Sequence, residues 1–542
     1  MIWLLLAGAL ALRLALALSY DGYWGVDGGA YLLSVNNVLG NEPTGAGFPR
    51  PPLAPGWLLV PFVELFGDDA GYKVWSALAS LCPVIPIFLM ARRVGALSGV
   101  RLPSLAISPW IGPFAAAFLC VDLLHAEMLV TGALPMVAFG LLGTAWWAMG
   151  SLSEHWNRRD AVILAITIGL IPYVNQTTAG LACVTLPVYA VALWWFSGKH
   201  RELGARLLPP MILGGIIALT ALPWYLQVLP GNGMLDYPGP VIYLTRLYDI
   251  AWLQLALGWG LGLRMVGGGQ EPWLRALGVL CCLLGTLTIF LSFDETIINV
   301  FYRSRYLLAL PFYIGVTWAL WKYILPWFKP SIAMPLTLLA FAVMGTGYIS
   351  QVYRQADLSA MITPETAAVL ELLREDEDQG AIISNSFTLA LWVAALNKVE
   401  SPHTWTATPP PTFTETDLRV RCVLGWRPGC DTAAAIKELN AGWVLLEERF
   451  PYYNKRAPGV YGSLNVEDPW AELPALPWLT EVYHQGTTLV YKIDPAAVSP
   501  PAATRTRPDG PSMYSNRAAT AEPAPAASTR TPQIAQNALR RP

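Results

Sequence analysis

Long apolar runs fill the chain as far as Ser350, and short apolar segments separated by polar clusters replace them afterwards. The runs cover residues 1–18, 72–91, 102–121, 129–149, 161–174, 177–196, 207–226, 250–265, 276–293, 306–321 and 332–350. Most approach the ~20 residues that carry an α-helix across a bilayer. The pattern predicts a polytopic α-helical membrane domain over residues 1–350, with about eleven transmembrane helices. The run 53–66 is shorter and reads as an interfacial segment. Between the first two spans, residues 20–55 carry a Gly-Gly pair, the helix-capable stretch 30–39 and an Arg-Pro-Pro. Juxtamembrane helices are expected there.

Charge orients this pattern. Arg92, Arg93, Arg101, Arg158, Arg159, Lys199, Arg201, Arg206, Arg275, Lys322 and Lys329 fall on alternate loops. Basic residues in short loops favour the cytoplasmic side, which puts residues 20–55, 122–128, 227–249, 294–305 and everything after Ser350 outside. Were 53–66 a span, Arg92 and Arg93 would be external. Arg13 interrupts the first run, whereas a cleaved signal peptide carries its positive charge ahead of the apolar core. A retained first helix with a cytoplasmic N-terminus is the reading.

Beyond Ser350, residues 363–374 and 432–440 read as helices and 381–384, 443–447 and 488–493 as strands. They give a small extracytoplasmic α/β domain over residues 351–494. Cys422 and Cys430 lie inside it, and both a disulfide across the short loop and two free thiols remain open. Residues 495–542 are Ala, Pro, Thr, Ser and Arg with almost no large aliphatics. Such a segment buries too little surface to offset its ordering entropy and is expected to be a disordered tail.

Composition sharpens the class. The chain has 542 residues, 54% hydrophobic and only 13% charged, against roughly a quarter charged in soluble domains. A net charge of -2 gives no reason to expect a nucleic-acid partner. Walker loops, zincin helices, GxSxG elbows and CxxC pairs are all missing, which argues against ATP-driven transport and the common hydrolases.

Candidate chemistry collects in the external loops. Asp27 precedes Gly28-Gly29 and could cap a helix or act as a base. Arg50 could anchor the interfacial segment in headgroups or touch a substrate. Asp122, His125 and Glu127 are close enough in sequence to hold a divalent cation, though a short interhelical loop is polar anyway. Arg303 and Arg305 flank the start of a span on the side where basic residues are less expected.

The start of the chain, with DGGAYLLSVNNVLG, FPRPPLAPGWLLVPFVELFG and KVWSALASLCPVIPIFLMARRVG, resembles the GT-C superfamily of polyprenyl-phosphate-sugar-dependent integral-membrane glycosyltransferases. It is most similar to the aminoarabinose-transferase and protein-mannosyltransferase branch. FYRSRYLLALPFYIGVTWAL resembles the late Arg-Tyr element of that family, and GAIISNSFTLALWVA, IKELNAGWVLLEE and LVYKID resemble its small external domain.

The resemblance implies an inverting transfer of sugar from a polyprenyl-phosphate donor to a glycolipid, polysaccharide or protein hydroxyl at the outer face. It implies Asp27 as the catalytic residue and Arg305, Arg303 and Arg50 as grips for the donor phosphate. Tyr31, Tyr306, Asp122, His125 and Glu127 become substrate-contact candidates, with a divalent cation possible. It also implies residence in a bacterial inner membrane among membrane lipids, with the C-terminal domain extracytoplasmic. Two departures stand against the family pattern: Gly28 replaces an acid usual after the Asp, and Gly132-Ala133 stand where an acid often opens the fourth helix. Both weaken the case for a metal. The competing class is a secondary transporter or lipid flippase, which would show inverted repeats and charges inside its spans. Here nearly all charges lie at helix ends.

Overall fold

The computed structural model of the chain describes residues 2–23, 25, 28–40, 53–97, 111–131, 133–223, 251–269, 271–291, 304–324, 330–359, 362–375, 380–384, 387–402, 415–425, 427, 429–447, 475–486 and 488–498. Among them, Asp68–Arg93, Leu134–Glu154, Gln176–Ser197, His200–Leu219 and Pro335–Arg354 are long and apolar enough to cross a membrane. Ile2–Leu18, Gly56–Phe66 and Pro272–Thr288 are shorter apolar helices, and the expected runs 102–121 and 250–265 extend onto residues outside the described set. Of the about eleven expected spans, five are therefore borne out among the described residues.

In chain order the membrane part has α1 (Ile2–Leu18), α2 (Gly28–Leu39), α3 (Leu53–Phe66), α4 (Asp68–Ala79), α5 (Val84–Leu97), α6 (Ile111–Cys120) and α7 (Leu123–Thr131). It continues with α8 (Ala133–Glu154), α9 (Arg158–Val174), α10 (Gln176–Ser197), α11 (His200–Leu219), α12 (Ala251–Gly268), α13 (Pro272–Leu291), α14 (Ser304–Ala319) and α15 (Pro330–Ser359). The 53–66 run is indeed a short helix, and the first loop contains α2 as its apolar stretch suggested.

Polar residues set the breaks between apolar runs. Asn157 caps α9 by accepting from the Arg159 amide at 2.9 Å. Asn175 ends the same helix and starts α10 by accepting from the Thr178 amide at 2.9 Å. Each cap satisfies an amide that the helix itself cannot. Large side chains such as Trp146, Phe139, Tyr189 and Trp273 fill the bundle core with no more than 1% of their surface exposed.

Contacts gather the loop cations at one end. Arg206 donates to the Glu154 carbonyl, and Arg93 pairs with the Glu154 carboxylate. Arg93 also lies over Trp273, next in the chain but one to Arg275. Arg275 and Lys322 donate to the carbonyls of Val266 and Gly268 at the close of α12. This basic end is the one that the alternate-loop charge pattern groups together.

The C-terminal part carries α16 (Pro364–Arg374), β1 (Ala381–Ser384), α17 (Phe387–Asn397), α18 (Glu415–Val423), α19 (Thr432–Leu439), β2 (Ala441–Glu447), β3 (Leu479–Gln485) and β4 (Thr488–Ile493). The strands form one sheet in the order β1-β2-β4-β3, with β1 and β2 parallel and the other pairs antiparallel. Alternate side chains divide between two faces, as a pleated strand requires. Ile382, Trp443, Leu445 and Val490 join one hydrophobic cluster, while Ile383, Val444, Leu446 and Tyr491 join another with α18 and α19.

The predicted strands at 381–384 and 488–493 match those observed. The strand predicted at 443–447 begins earlier, at Ala441. Strand β3 and helices α17 and α18 were not expected. Cys422 and Cys430 are joined by a disulfide, with Cα atoms 6.0 Å apart. Beyond β4, Asp494 caps a short 3-10 turn at Pro495–Ala497. The tail expected over 495–542 lies outside the described residues from 499 onwards.

Candidate active site

The first of the two hydrophobic clusters is not confined to the sheet. It runs on to Leu16 of α1, Tyr31 and Leu32 of α2, Tyr72 and Trp75 of α4, and Leu129 and Val130 of α7. Helix α17 lies against α2 and brings Trp392, fully buried, beside the first loop. Its indole Nε1 donates to the Gly25 carbonyl at 3.1 Å, and Asn36 Nδ2 donates to the Ala395 carbonyl at 2.9 Å.

This approach explains the Gly-Gly pair. A Cβ at Gly29 would sit 2.5 Å from the Trp392 amide nitrogen, and one at Gly28 would run into the Trp392 ring. Where the family pattern has an acid, this chain has the glycine that admits a tryptophan. Gly25 is tied down too: its φ is +96°, and a Cβ there would strike the Val130 carbonyl.

Asp27 lies between these glycines but outside the described residues, as do Arg50 and Arg303. Tyr31 is described and buried, with its ring 6.2 Å from Tyr72 and 5.9 Å from Trp75. Tyr23 completes the aromatic wall, 5.3 Å from Trp392. Burial, and then Asp69, raise the Tyr23 hydroxyl to about 12, so it remains a protonated donor at neutral pH.

A second set of candidates meets on α7 and α14. Asp122 accepts from the His125 amide at 3.1 Å and from Tyr313 Oη at 2.5 Å. His125 Nε2 lies 3.1 Å from the Tyr306 carbonyl. A carbonyl can only accept, so this nitrogen carries the proton. Burial drives the His125 imidazole below its ordinary range despite the nearby Asp122. Arg305 lies over the Tyr306 ring, 4.4 Å from its centroid, and donates to the Tyr306 hydroxyl. Arg305 and Tyr306, neighbours in the Arg-Tyr element of the sequence, are thus also in side-chain contact. Helix α7 joins the two groups, because Val130 faces Gly25 while His125 faces Tyr306.

Glu127 is on α7, but its side chain lies outside the description. Among the described residues no three His, Cys, Asp or Glu side chains are grouped to hold a metal ion.

Two cations here were not among the candidate site residues of the sequence reading, although Arg13 was noted there as interrupting the first run. Arg13, 1% exposed within α1, donates to the carbonyls of Ala9 and Cys120 at 3.3 and 3.0 Å and lies over the Tyr348 ring. Lys73, on α4, donates to the Tyr20 carbonyl at 2.8 Å and pairs with Asp69 at 2.7 Å. Their burial corrects the expectation that charges keep to helix ends. Both stand in apolar runs, which was signal enough, since a charge there needs partners.

No family model and no curated protein sequence matches the chain. Solved structures do. The chain is similar to ArnT from Cupriavidus metallidurans bound to undecaprenyl phosphate, with a TM-score of 0.56 and 16% identity over 92% of this chain and 99% of that one. It is also similar to the Archaeoglobus fulgidus oligosaccharyltransferase in its apo form, with a TM-score of 0.55 and 11% identity over 90% of this chain and 74% of that one. The same oligosaccharyltransferase tethered to an acceptor peptide gives a TM-score of 0.52, again at 11% identity over 90% and 74%. Over about nine-tenths of its length the chain shares the fold of these proteins.

Proposed function

We propose that the chain is an integral-membrane glycosyltransferase that moves a sugar, with inversion, from a polyprenyl-phosphate donor to a hydroxyl. The acceptor belongs to a glycolipid, a cell-envelope polysaccharide or a protein. The observation that carries this reading is the correspondence over 99% of a structure holding undecaprenyl phosphate, joined to a contacting Arg305–Tyr306 pair. In this reading residues 1–350 form the catalytic membrane domain, 351–494 an extracytoplasmic cover and 495–542 a tail. The protein lies in a bacterial inner membrane with the first loop outside.

The chemistry follows from the residue types. As the acceptor oxygen attacks the anomeric carbon, the Asp27 carboxylate takes its proton. The carbon–oxygen bond to the lipid phosphate breaks on the opposite side, which inverts the centre. Guanidinium groups of Arg305, Arg303 and Arg50 hold the departing phosphate, because a planar fork engages two oxygens at once. Tyr31, Tyr306, Asp122, His125 and Glu127 are the further candidates for contact with donor or acceptor. The lipid-linked donor arrives by diffusion in the membrane, so no ATP is needed.

The test is to incubate purified protein with labelled polyprenyl-phosphate sugars and a membrane extract, and to follow label into acceptors. Transfer that disappears in Asp27→Asn supports the reading. Absence of transfer from every donor of the panel, with folded protein present, would reject it. Orientation is tested separately in intact cells with an impermeant thiol reagent and native cysteines removed. Asp21→Cys should label and Arg158→Cys should not; both positions are exposed. The reverse result would move the site to the wrong face.

A further inference from the structure

A predominantly apolar groove of about 380 Å³ runs along α10, lined by Pro187, Val188, Val191, Ala192, Trp195, Phe196 and, from α13, Val279. Its size falls in the ~300–1,000 Å³ range of ligand pockets. It lies at the basic end, away from the first loop. At its mouth the Arg275 guanidinium rests on the Phe196 ring, 4.1 Å from the centroid. Arg275 Nε donates to the Val266 carbonyl at 2.9 Å, which fixes the plane of the fork. Its two terminal nitrogens have no partner among the described residues. Arg264 lies over Tyr323 at 4.7 Å, and Lys322 lies over Trp318 at 5.1 Å while donating to Gly268. Lys199 follows Phe196 by three residues and is exposed; Glu271 is an acid between α12 and α13.

We infer that this groove and Arg275 form a binding site for a single anionic phospholipid of the leaflet at the basic end. One hydrocarbon chain fills the groove, and the phosphate meets the free side of the Arg275 fork. Three features lead to this occupant. The lining offers almost no polar surface to a sugar or a peptide. The mouth has a pre-oriented cation, with further positive charge beside it. Basic pockets between membrane helices on the cytoplasmic side select anionic headgroups, and a guanidinium already held by a carbonyl and a ring loses little freedom on binding phosphate. The proposal does not depend on transferase chemistry, because none of its residues is among the candidates for that chemistry.

The experiment uses the full chain in nanodiscs containing phosphatidylglycerol and phosphatidylcholine in equal amounts, released into detergent and read by native mass spectrometry. One phosphatidylglycerol per chain should be retained in preference to phosphatidylcholine. Arg275→Gln should lower that retention about fivefold, the factor that one basic residue supplies at a membrane surface. Since Arg275 also braces α12, a second variant leaves it in place: Val191→Trp, at an exposed position, fills the groove and should lower retention of either lipid. Equal retention of the two lipids by the parent chain overturns the proposal. So does unchanged retention in Val191→Trp, or displacement of the lipid by millimolar glycerol phosphate alone, which would assign the site to a free phosphate.

Discussion

In the half of the bundle that meets the first loop, Arg13 and Lys73 are buried and give their nitrogens to the carbonyls of Cys120 and Tyr20, on other segments of the chain. At the basic end, Arg264, Arg275 and Lys322 lie on aromatic faces and stay partly or wholly exposed. The first arrangement ties distant segments into one rigid assembly, because a buried charge tolerates only a fixed set of partners. The second leaves cations able to meet an interface. A fixed polar region suits chemistry that needs positioning within about 0.5 Å, while an adaptable rim suits lipid headgroups.

The comparison is broken most sharply at Asp27. Asp27→Asn keeps size and hydrogen bonding but cannot take a proton, so transfer should fall by at least about 100-fold, with expression and donor binding retained. Parental turnover in that variant would make Asp27 a helix cap and leave the first-loop half without its base.

Arg305 tests the same half through the leaving group. Arg305→Lys retains charge but loses the two-pronged geometry and the contact with Tyr306. A charge-assisted hydrogen bond is worth about 1.5–3 kcal/mol, so the transfer rate should drop roughly ten- to a hundredfold. Arg303→Lys should be milder. If both variants and Arg305→Ala transfer at the parental rate, the phosphate grip passes to Arg50.

Packing gives a smaller and purely structural contrast. Gly29→Val drives a side chain into the backbone of Trp392 and should cost about 1–3 kcal/mol, read as a lower thermal midpoint of the purified protein. Gly267→Ala, with nothing within 4 Å of the added carbon, should leave the midpoint nearly unchanged. Equal midpoints for the two variants would mean that α17 does not clamp the first loop.

The smallest effect is that of pH on His125. Its folded-state affinity for protons is depressed by burial, so the unfolded chain binds a proton first as the medium turns acidic. The stabilising contribution is present above the ordinary imidazole value of about 6.5 and is lost as pH falls below it, by at most about 1.4 kcal/mol over one pH unit. Unfolding of parent and His125→Gln compared between pH 7.5 and 5.5 should show the steeper loss in the parent. Identical slopes would remove His125 from the titrating set.

Much of this was legible because a membrane imposes a simple code. Spans must be apolar and of fixed length, and basic loops must alternate, so the runs, the short 53–66 helix and the grouping of loop cations could be read directly. Strands 381–384 and 488–493 were legible for a related reason, since both are buried and flanked by turn residues. Helix α17, FTLALWVAALN, was not: it is apolar on every side, and periodicity cannot separate such a segment from a strand. Strand β3 was missed for the opposite reason, since it is mostly exposed and carries little apolar signal.

The sequence by itself determined which residues could carry charge at the membrane edge, and it paired Arg305 with Tyr306 because they are neighbours in the chain. Only the tertiary structure decided that Gly28 and Gly29 exist to admit Trp392, that Arg13 reaches the Cys120 carbonyl, and that His125 reaches Tyr306. Those contacts join positions more than a hundred residues apart. No local periodicity encodes such pairs, because each is fixed by how whole helices pack and not by the preferences of the segments that contain them.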